Sequence, residues 1–277
     1  MSNPADLALE RSQTLHWAWQ LGVSALLGLL VGCAAGPAKP GPQANSAPPP
    51  PAAPAPAPAP ATQTASQTAL PAAVGQPPAP FEGEGWQPLF EGHTLKGWRE
   101  TAFAGHGEVE CRSGVLLLNM GDPFTGVNWT NEFPKMDYEV ALDAMRVMGS
   151  DFFCGLTVPV GESFCSFVVG GWGGSLAGIS SINGMDASEN ETTKFKQFEN
   201  GRWYRIRLRV TEGRLEGWID QEKLVDVVTK DKKISLRPGE IEMSKPFGLA
   251  AWQTSAALRE IKLRRVNTPA DPPKKFY

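Results

Sequence analysis

Residues 205–210 read Arg-Ile-Arg-Leu-Arg-Val, so apolar and cationic side chains alternate one for one. In an extended chain this puts Ile206, Leu208 and Val210 on one face and Arg205, Arg207 and Arg209 on the other. A helix would scatter both sets around its axis. Residues 261–266, Ile-Lys-Leu-Arg-Arg-Val, begin the same way. One apolar and one wet face is the signature of antiparallel sheet packed on a single side. A dozen short segments rich in β-branched and aromatic residues carry this texture, at 108–111, 115–119, 126–130, 138–147, 152–158, 164–169, 193–198, 203–210, 214–219, 223–228, 248–252 and 258–266. Gly, Asn, Asp and Pro turns separate them. Gly213 and the polar run 219–223 mark two hairpins, so 203–228 reads as a three-strand meander. No stretch of useful length in this region has a helical period. The expected fold is all-β, a two-sheet antiparallel sandwich of jelly-roll type, with 138–147, 152–158 and 203–210 as central strands.

Proline sets the limits of that domain. Of 25 prolines, 15 lie between residues 34 and 80, beside 16 alanines and a single charge, Lys39. Such a run adopts polyproline II and packs no core. At about 3.1 Å per residue it reaches on the order of 145 Å when extended, which suits a stalk. The remaining 81–266 form one domain of ordinary size, followed by a tail at 267–277. The net charge of −3 and pI near 5.7 supply no basic face for nucleic acid. His16, His93 and His106 are the only histidines, which argues against a His-rich zinc site. Any catalysis is therefore expected to rest on carboxylates. Cys33, Cys111, Cys154 and Cys165 have no CxxC spacing.

The run from Leu21 to Val31 is uncharged and ends in Leu30-Val31-Gly32-Cys33. This resembles the bacterial lipobox, whose cysteine is lipidated and becomes the new N-terminus. Residues 1–33 then form a signal peptide and Cys33 carries the lipid. Asp6, Glu10 and Arg11 depart from the usual positive leader. The competing reading is an uncleaved anchor helix over 15–35. Both place the domain outside the cytoplasm. Ala34 stands where aspartate signals retention in that class, so the resemblance implies the outer membrane, with the domain facing the periplasm.

Four features carry candidate chemistry. Trp172 sits in Gly-Gly-Trp-Gly-Gly-Ser, where an indole freed by glycines can stack on a sugar or, equally, pack inward. Trp129 and Trp252 are further stacking candidates. Residues 183–192 are oxygen-rich, and Asp186, Glu189 and Glu191 suit a catalytic base, hydroxyl contacts or a divalent cation such as Ca²⁺, although the spacing is not an EF-hand. A solvated loop is the plain alternative. Asp151 is a candidate base or a strand-entry turn residue. A four-residue loop at 158–161 would set Cys154 opposite Cys165, which permits a disulfide; the alternative is two buried thiols.

Longer motifs resemble a known family. Trp86-Gln87-Pro88-Leu89-Phe90-Glu91-Gly92 with Leu95-Lys96-Gly97-Trp98 is similar to the "LF(N/D)G…L.GW" opening of the 3-keto-disaccharide hydrolase domain family. Residues 108–116 resemble its "W.V.DGVL" hairpin, 137–140 its "DFEL", 201–226 its long "GEWN.Y.I…W.NG..V.D" motif, and 247–249 with 259–263 its closing "GLQ…FRNI.I". The resemblance implies a concanavalin A-like jelly roll, secreted or lipid-anchored, that cleaves glycosides oxidised at C3. It also assigns Trp98, Trp203 and Trp218 to core motifs. Two departures stand out. The glutamate of the family's "YE.QI" strand falls on Cys165 or Ser166, and the Asp and His of "GLQDHG" are replaced in Gly248-Leu249-Ala250-Ala251-Trp252-Gln253. The expectation is a 3-keto-glycoside hydrolase or lyase at the cell envelope. The alternatives are a non-catalytic saccharide-binding module and an envelope scaffold.

Overall fold

A computed structural model describes residues 76–266. Cys33, the signal segment, most of the Pro/Ala run and the tail from 267 lie outside the described residues. Two antiparallel sheets face each other. The first runs β13 (Glu222–Val228), β12 (Arg214–Ile219), β11 (Trp203–Thr211), β6 (Tyr138–Gly149), β15 (Thr254–Arg265), β4 (Val115–Leu118), β3 (Val109–Arg112), with β1 (Gln87–Pro88) on β15. The second runs β10 (Lys194–Phe195), β9 (Leu176–Ser180), β8 (Ser163–Gly170), β7 (Cys154–Val160), β14 (Gly248–Trp252), β5 (Phe124–Trp129), β2 (Trp98–Glu100). The jelly-roll sandwich and the meander β11-β12-β13 are as the alternation predicts. So are the inner places of β6, β7 and β11.

The core lies between the sheets. Tyr204, Ile206, Leu208 and Val210 of β11 are fully buried there, and Cys154, Leu156, Val158, Cys165, Phe167 and Val169 meet them from β7 and β8. Each large apolar side chain sealed in this layer stabilises the fold by about 1.5–3 kcal/mol. The arginines of β11 lie on the opposite face, as their period requires. There they converge on two buried carboxylates of β6. Glu139, fully buried, takes hydrogen bonds from Arg207 (2.9 Å), Arg209 (3.1 Å) and Arg264 (2.8 Å). Asp143 pairs with Arg205 and Arg259.

That arginine-bearing face also holds the chain that enters the domain. Arg259 donates to the Gln76 carbonyl (2.6 Å) and Arg205 to the Ala79 carbonyl (2.8 Å). Arg205 lies 3.8 Å over the Phe81 ring and Arg264 4.5 Å over Trp86. Carbonyls that proline-rich backbone cannot use internally are thus taken by guanidinium donors.

The expected disulfide is not formed: Cys154 and Cys165 are free and buried. The loop between β7 and β8 is only Gly161-Glu162, two residues rather than four. The register then pairs Cys154 with Val169 and Cys165 with Val158. Four strand residues separate the thiols along the sheet, about 13 Å at strand rise, well beyond bridging distance. Burial pushes both thiols up to about 12, so they behave as small core hydrophobes. Cys111, half-buried, is also free.

Candidate functional site

Side chains that alternate away from the core leave the second sheet with an outward face of its own. Because Cys154 and Leu156 point inward, Gly155 points outward; because Cys165, Phe167 and Val169 point inward, Ser166 and Val168 do not. Gly155, Ser166, Val168 and Ser180 floor a cavity of about 580 Å³ on this face. That volume falls in the range of small-molecule sites.

One wall is aromatic. Phe124 and Trp252 pair across β5 and β14 with ring centroids 4.6 Å apart at 90°, and Phe152 stands 6.1 Å from Phe124. Gly155 makes room for this wall, since a Cβ there would meet the Phe152 ring at 3.0 Å. Beside Phe152 the rim is the glycine turn 170–174. Trp172 has a positive φ of 49° and is 40% exposed at the cavity edge. Gly170, Gly173 and Gly174, all with positive φ, let the chain take this course.

Asp151 fixes the turn. Its Oδ1 accepts the Phe152 N–H (2.7 Å) and its Oδ2 the Gly173 N–H (3.1 Å). Arg146, buried beneath, donates to the carbonyls of Gly174 (3.2 Å), Asp151 (3.4 Å) and Phe198, and to Asn200 Oδ1 (2.6 Å). Burial pulls the Arg146 guanidinium below its ordinary range, against the opposing influence of Tyr204 and Asp151.

Asp186 lines the cavity with both oxygens engaged. Oδ1 accepts the Ser180 hydroxyl and the Ala187 N–H, and Oδ2 pairs with Arg237 at 2.9 Å. The segment Arg237-Pro238-Gly239-Glu240, leading into a short 3-10 turn at Glu240–Ser244, closes this side.

Of the residues singled out from the sequence, Asp151, Trp172, Asp186 and Trp252 meet around one cavity. Glu189 and Trp129 do not belong to its lining. Glu189 is exposed on the loop, where Asn190 folds back onto the carbonyls of Ile179, Met185 and Asp186 and turns Asp186 alone toward the sheet. Glu191 pairs with Lys232. Among the described residues no three His, Cys, Asp or Glu side chains are grouped to hold a metal ion. Asp186, Glu189 and Glu191 therefore face three different surroundings: the cavity, solvent and Lys232. Trp129 lies five residues from Phe124 on β5, so it takes the core side and packs edge-on to Trp98 at 5.2 Å.

Phe124, Phe152, Arg237 and Glu240 were not singled out. The only local sign at 237–240 is the Pro-Gly turn, which marks a loop and not its destination. Of the two positions on which the resembling family's inward glutamate falls, Cys165 points into the core and Ser166 points outward, hydrogen-bonded to Thr157 at 2.8 Å.

Against protein-family models, residues 85–264 match the 3-keto-alpha-glucoside-1,2-lyase-like domain. None of the curated proteins matches. Similar solved structures include a Bacillus subtilis protein of unknown function with a galectin-like fold (11% identity, TM-score 0.47, covering 65% of this chain and 94% of that one). Another is the Bacillus subtilis carbohydrate-binding module CBM66 (11%, 0.40, 61% and 95%). A third is domain 4 of a family 43 extracellular arabinanase from Geobacillus stearothermophilus in complex with arabinotriose (11%, 0.39, 61% and 82%). With its family model matched from the opening motif through the closing strand, this chain belongs to the 3-keto-α-glucoside-1,2-lyase-like domain family.

Proposed function

We propose that the cavity binds a glycoside oxidised at C3 and releases its aglycone by elimination. The observation that carries this is the joining, in one cavity, of an aromatic wall at Trp252 and Phe124 with the carboxyl and guanidinium side chains of Asp186, Arg237 and Glu240. A sugar ring has apolar C–H faces and a hydroxylated rim, and this arrangement offers a partner to each. A carbonyl at C3 makes the C2 hydrogen acidic. Removing that proton gives an enolate, which expels the oxygen at C1 and leaves a C1=C2 double bond. The aglycone departs with a proton, and water can then add to C1. Such chemistry needs a base and a charge-stabilising donor.

The test is to supply purified protein with 3-keto-trehalose and 3-keto-glucosides and follow sugar release. Trp252→Ala is expected to weaken saccharide binding about tenfold through lost stacking. A wild-type protein that binds sugars but turns over none of these substrates would fit the second reading, a saccharide-binding module. The lack of the family's glutamate, whose place falls on Cys165 or Ser166, favours that reading.

Setting this site at the cell envelope rests on the lipobox-like Leu30–Cys33 and the proline-rich stalk after it. Radiolabelled palmitate is expected to enter the wild-type chain and not Cys33→Ser. Equal absence of label from both would return the first 33 residues to an uncleaved helix.

A further inference from the structure

We infer that Glu240 and Arg237 form the enolising pair of this cavity, Glu240 as the base at C2 and Arg237 as the donor to the C3 oxygen; this rests on the elimination reading above. Four carboxylates line the cavity: Asp122, Asp151, Asp186 and Glu240. Two are committed to the protein. Asp151 holds the Phe152 N–H beside it and the Gly173 N–H of the Trp172 turn, and Asp186 holds Ser180, Ala187 and Arg237. Asp122 is exposed to bulk water.

Glu240 differs from all three. It is half-buried, and its Oε2 is sealed from solvent with no hydrogen-bond partner. A buried carboxylate oxygen normally has a donor, and leaving one without is costly. That oxygen is closed to a ligand as well as to water, so the oxygen of Glu240 that meets what enters the cavity is Oε1, while Oε2 stays without a protein donor. The position of Glu240 is set by the backbone. Gly239 has φ +128°, a course that a side chain would disfavour, and it turns the chain sharply between Arg237 and Glu240. Ile241, the next residue, packs into the satellite core with Phe103, Phe124 and Ala250, which ties the turn to the aromatic wall.

Arg237 supplies the other half. Its side chain is 61% exposed and makes one ion pair, to Asp186. That contact engages Nη1 alone, and a guanidinium carries five N–H donors, so others stay available to a ligand. In the reaction, Glu240 takes the C2 proton and the C–H electrons become the enolate, its charge resting on O3 beside Arg237. The enolate then re-forms the carbonyl, the C1–O bond breaks, and the leaving oxygen takes a proton from water while Glu240 returns its own to solvent.

The experiment uses the full chain and a 3-keto-α-glucoside deuterated at C2. It reads loss of deuterium to solvent and release of the aglycone separately. Glu240→Gln is expected to lower kcat for both by about 10²–10⁴-fold with KM changed by less than about threefold. Arg237→Lys should fall between this variant and wild type. Glu212→Gln, on the distant β11–β12 turn, should match wild type. If Glu240→Gln melts early, Glu240→Asp replaces it, since it keeps the charge but withdraws the oxygen from C2. Deuterium loss and release within about threefold of wild type in a folded Glu240 variant would overturn the assignment and leave the elimination reading standing. Absence of both signals in wild type would overturn the elimination reading and this pair with it.

Discussion

Glu139→Ala is expected to destabilise the fold by about 3–5 kcal/mol at neutral pH, the range for removing one member of a buried charge cluster. The carboxylate is fully buried on β6 and receives Arg207, Arg209 and Arg264. Without it, three guanidinium groups on the strands flanking β6 repel one another, and only Arg209 keeps another carboxylate, Glu216. Burial alone would raise the Glu139 pKa, but the Arg264 hydrogen bond and the charges of Arg209, Arg264 and Arg207 outweigh it and hold the carboxyl below its ordinary 4.5. A carboxyl with a lowered folded pKa stabilises fully above its unfolded value, and that stabilisation is lost as pH falls through the folded value. Urea denaturation at pH 7 and at pH 3 should therefore show the gap between wild type and Glu139→Ala shrinking on the acid side. A gap below about 1 kcal/mol at pH 7 would mean the arginines do not depend on Glu139.

The two outward faces of the sandwich have separate duties. The face of the first sheet is closed by charge pairing and by residues 76–86, whose carbonyls and rings lie against Arg205, Arg259 and Arg264. The face of the second sheet stays open as the cavity. In a two-layer sandwich these faces are opposite, so the chain joins the domain on the side away from the cavity. A ligand there meets neither the incoming chain nor its contacts.

Much of this was legible because period 2 survives in sequence wherever one face is wet. Strand β11 and its meander followed directly from Arg205–Val210. Strand β9, Leu-Ala-Gly-Ile-Ser, was not anticipated because its residues are small and buried on both sides, which removes the alternation. Strands β1 and β2 are two and three residues long, too short for any period. The same parity argument separates Trp252 from Trp129, but only once strand bounds are fixed to the residue. Two residues of loop decided the cysteines: the short Gly161-Glu162 turn moved their partners by four positions. The rim at 237–240 was illegible for another reason. It reaches Asp186 from more than fifty residues away, and no local pattern encodes that meeting.

Arg146→Ala is expected to cost about 3 kcal/mol of stability and to weaken saccharide binding tenfold or more. The side chain is nearly buried and satisfies three carbonyls and one amide oxygen from three segments: Asp151, Gly174, and Phe198 with Asn200. Its guanidinium also lies 5.7 Å from the Phe153 ring centroid. Alanine would leave buried acceptors without donors and a gap where water must enter. The turn 170–174 would then lose its anchor at Gly174 and keep the Asp151 contact and the Gly171–Leu176 bridge, so Trp172 would lose its fixed place at the cavity edge. Lysine keeps the charge but has no planar fork to reach four acceptors, so Arg146→Lys should recover only part of the loss. A double-mutant cycle tells positioning from general unfolding. If Arg146 acts on binding by holding Trp172, the affinity losses of Arg146→Ala and Trp172→Ala will not add, because the second change removes a ring already displaced. Additive losses, measured well below the melting temperature of each variant, would show that Arg146 supports the cavity by another route and that the Trp172 turn stands without it.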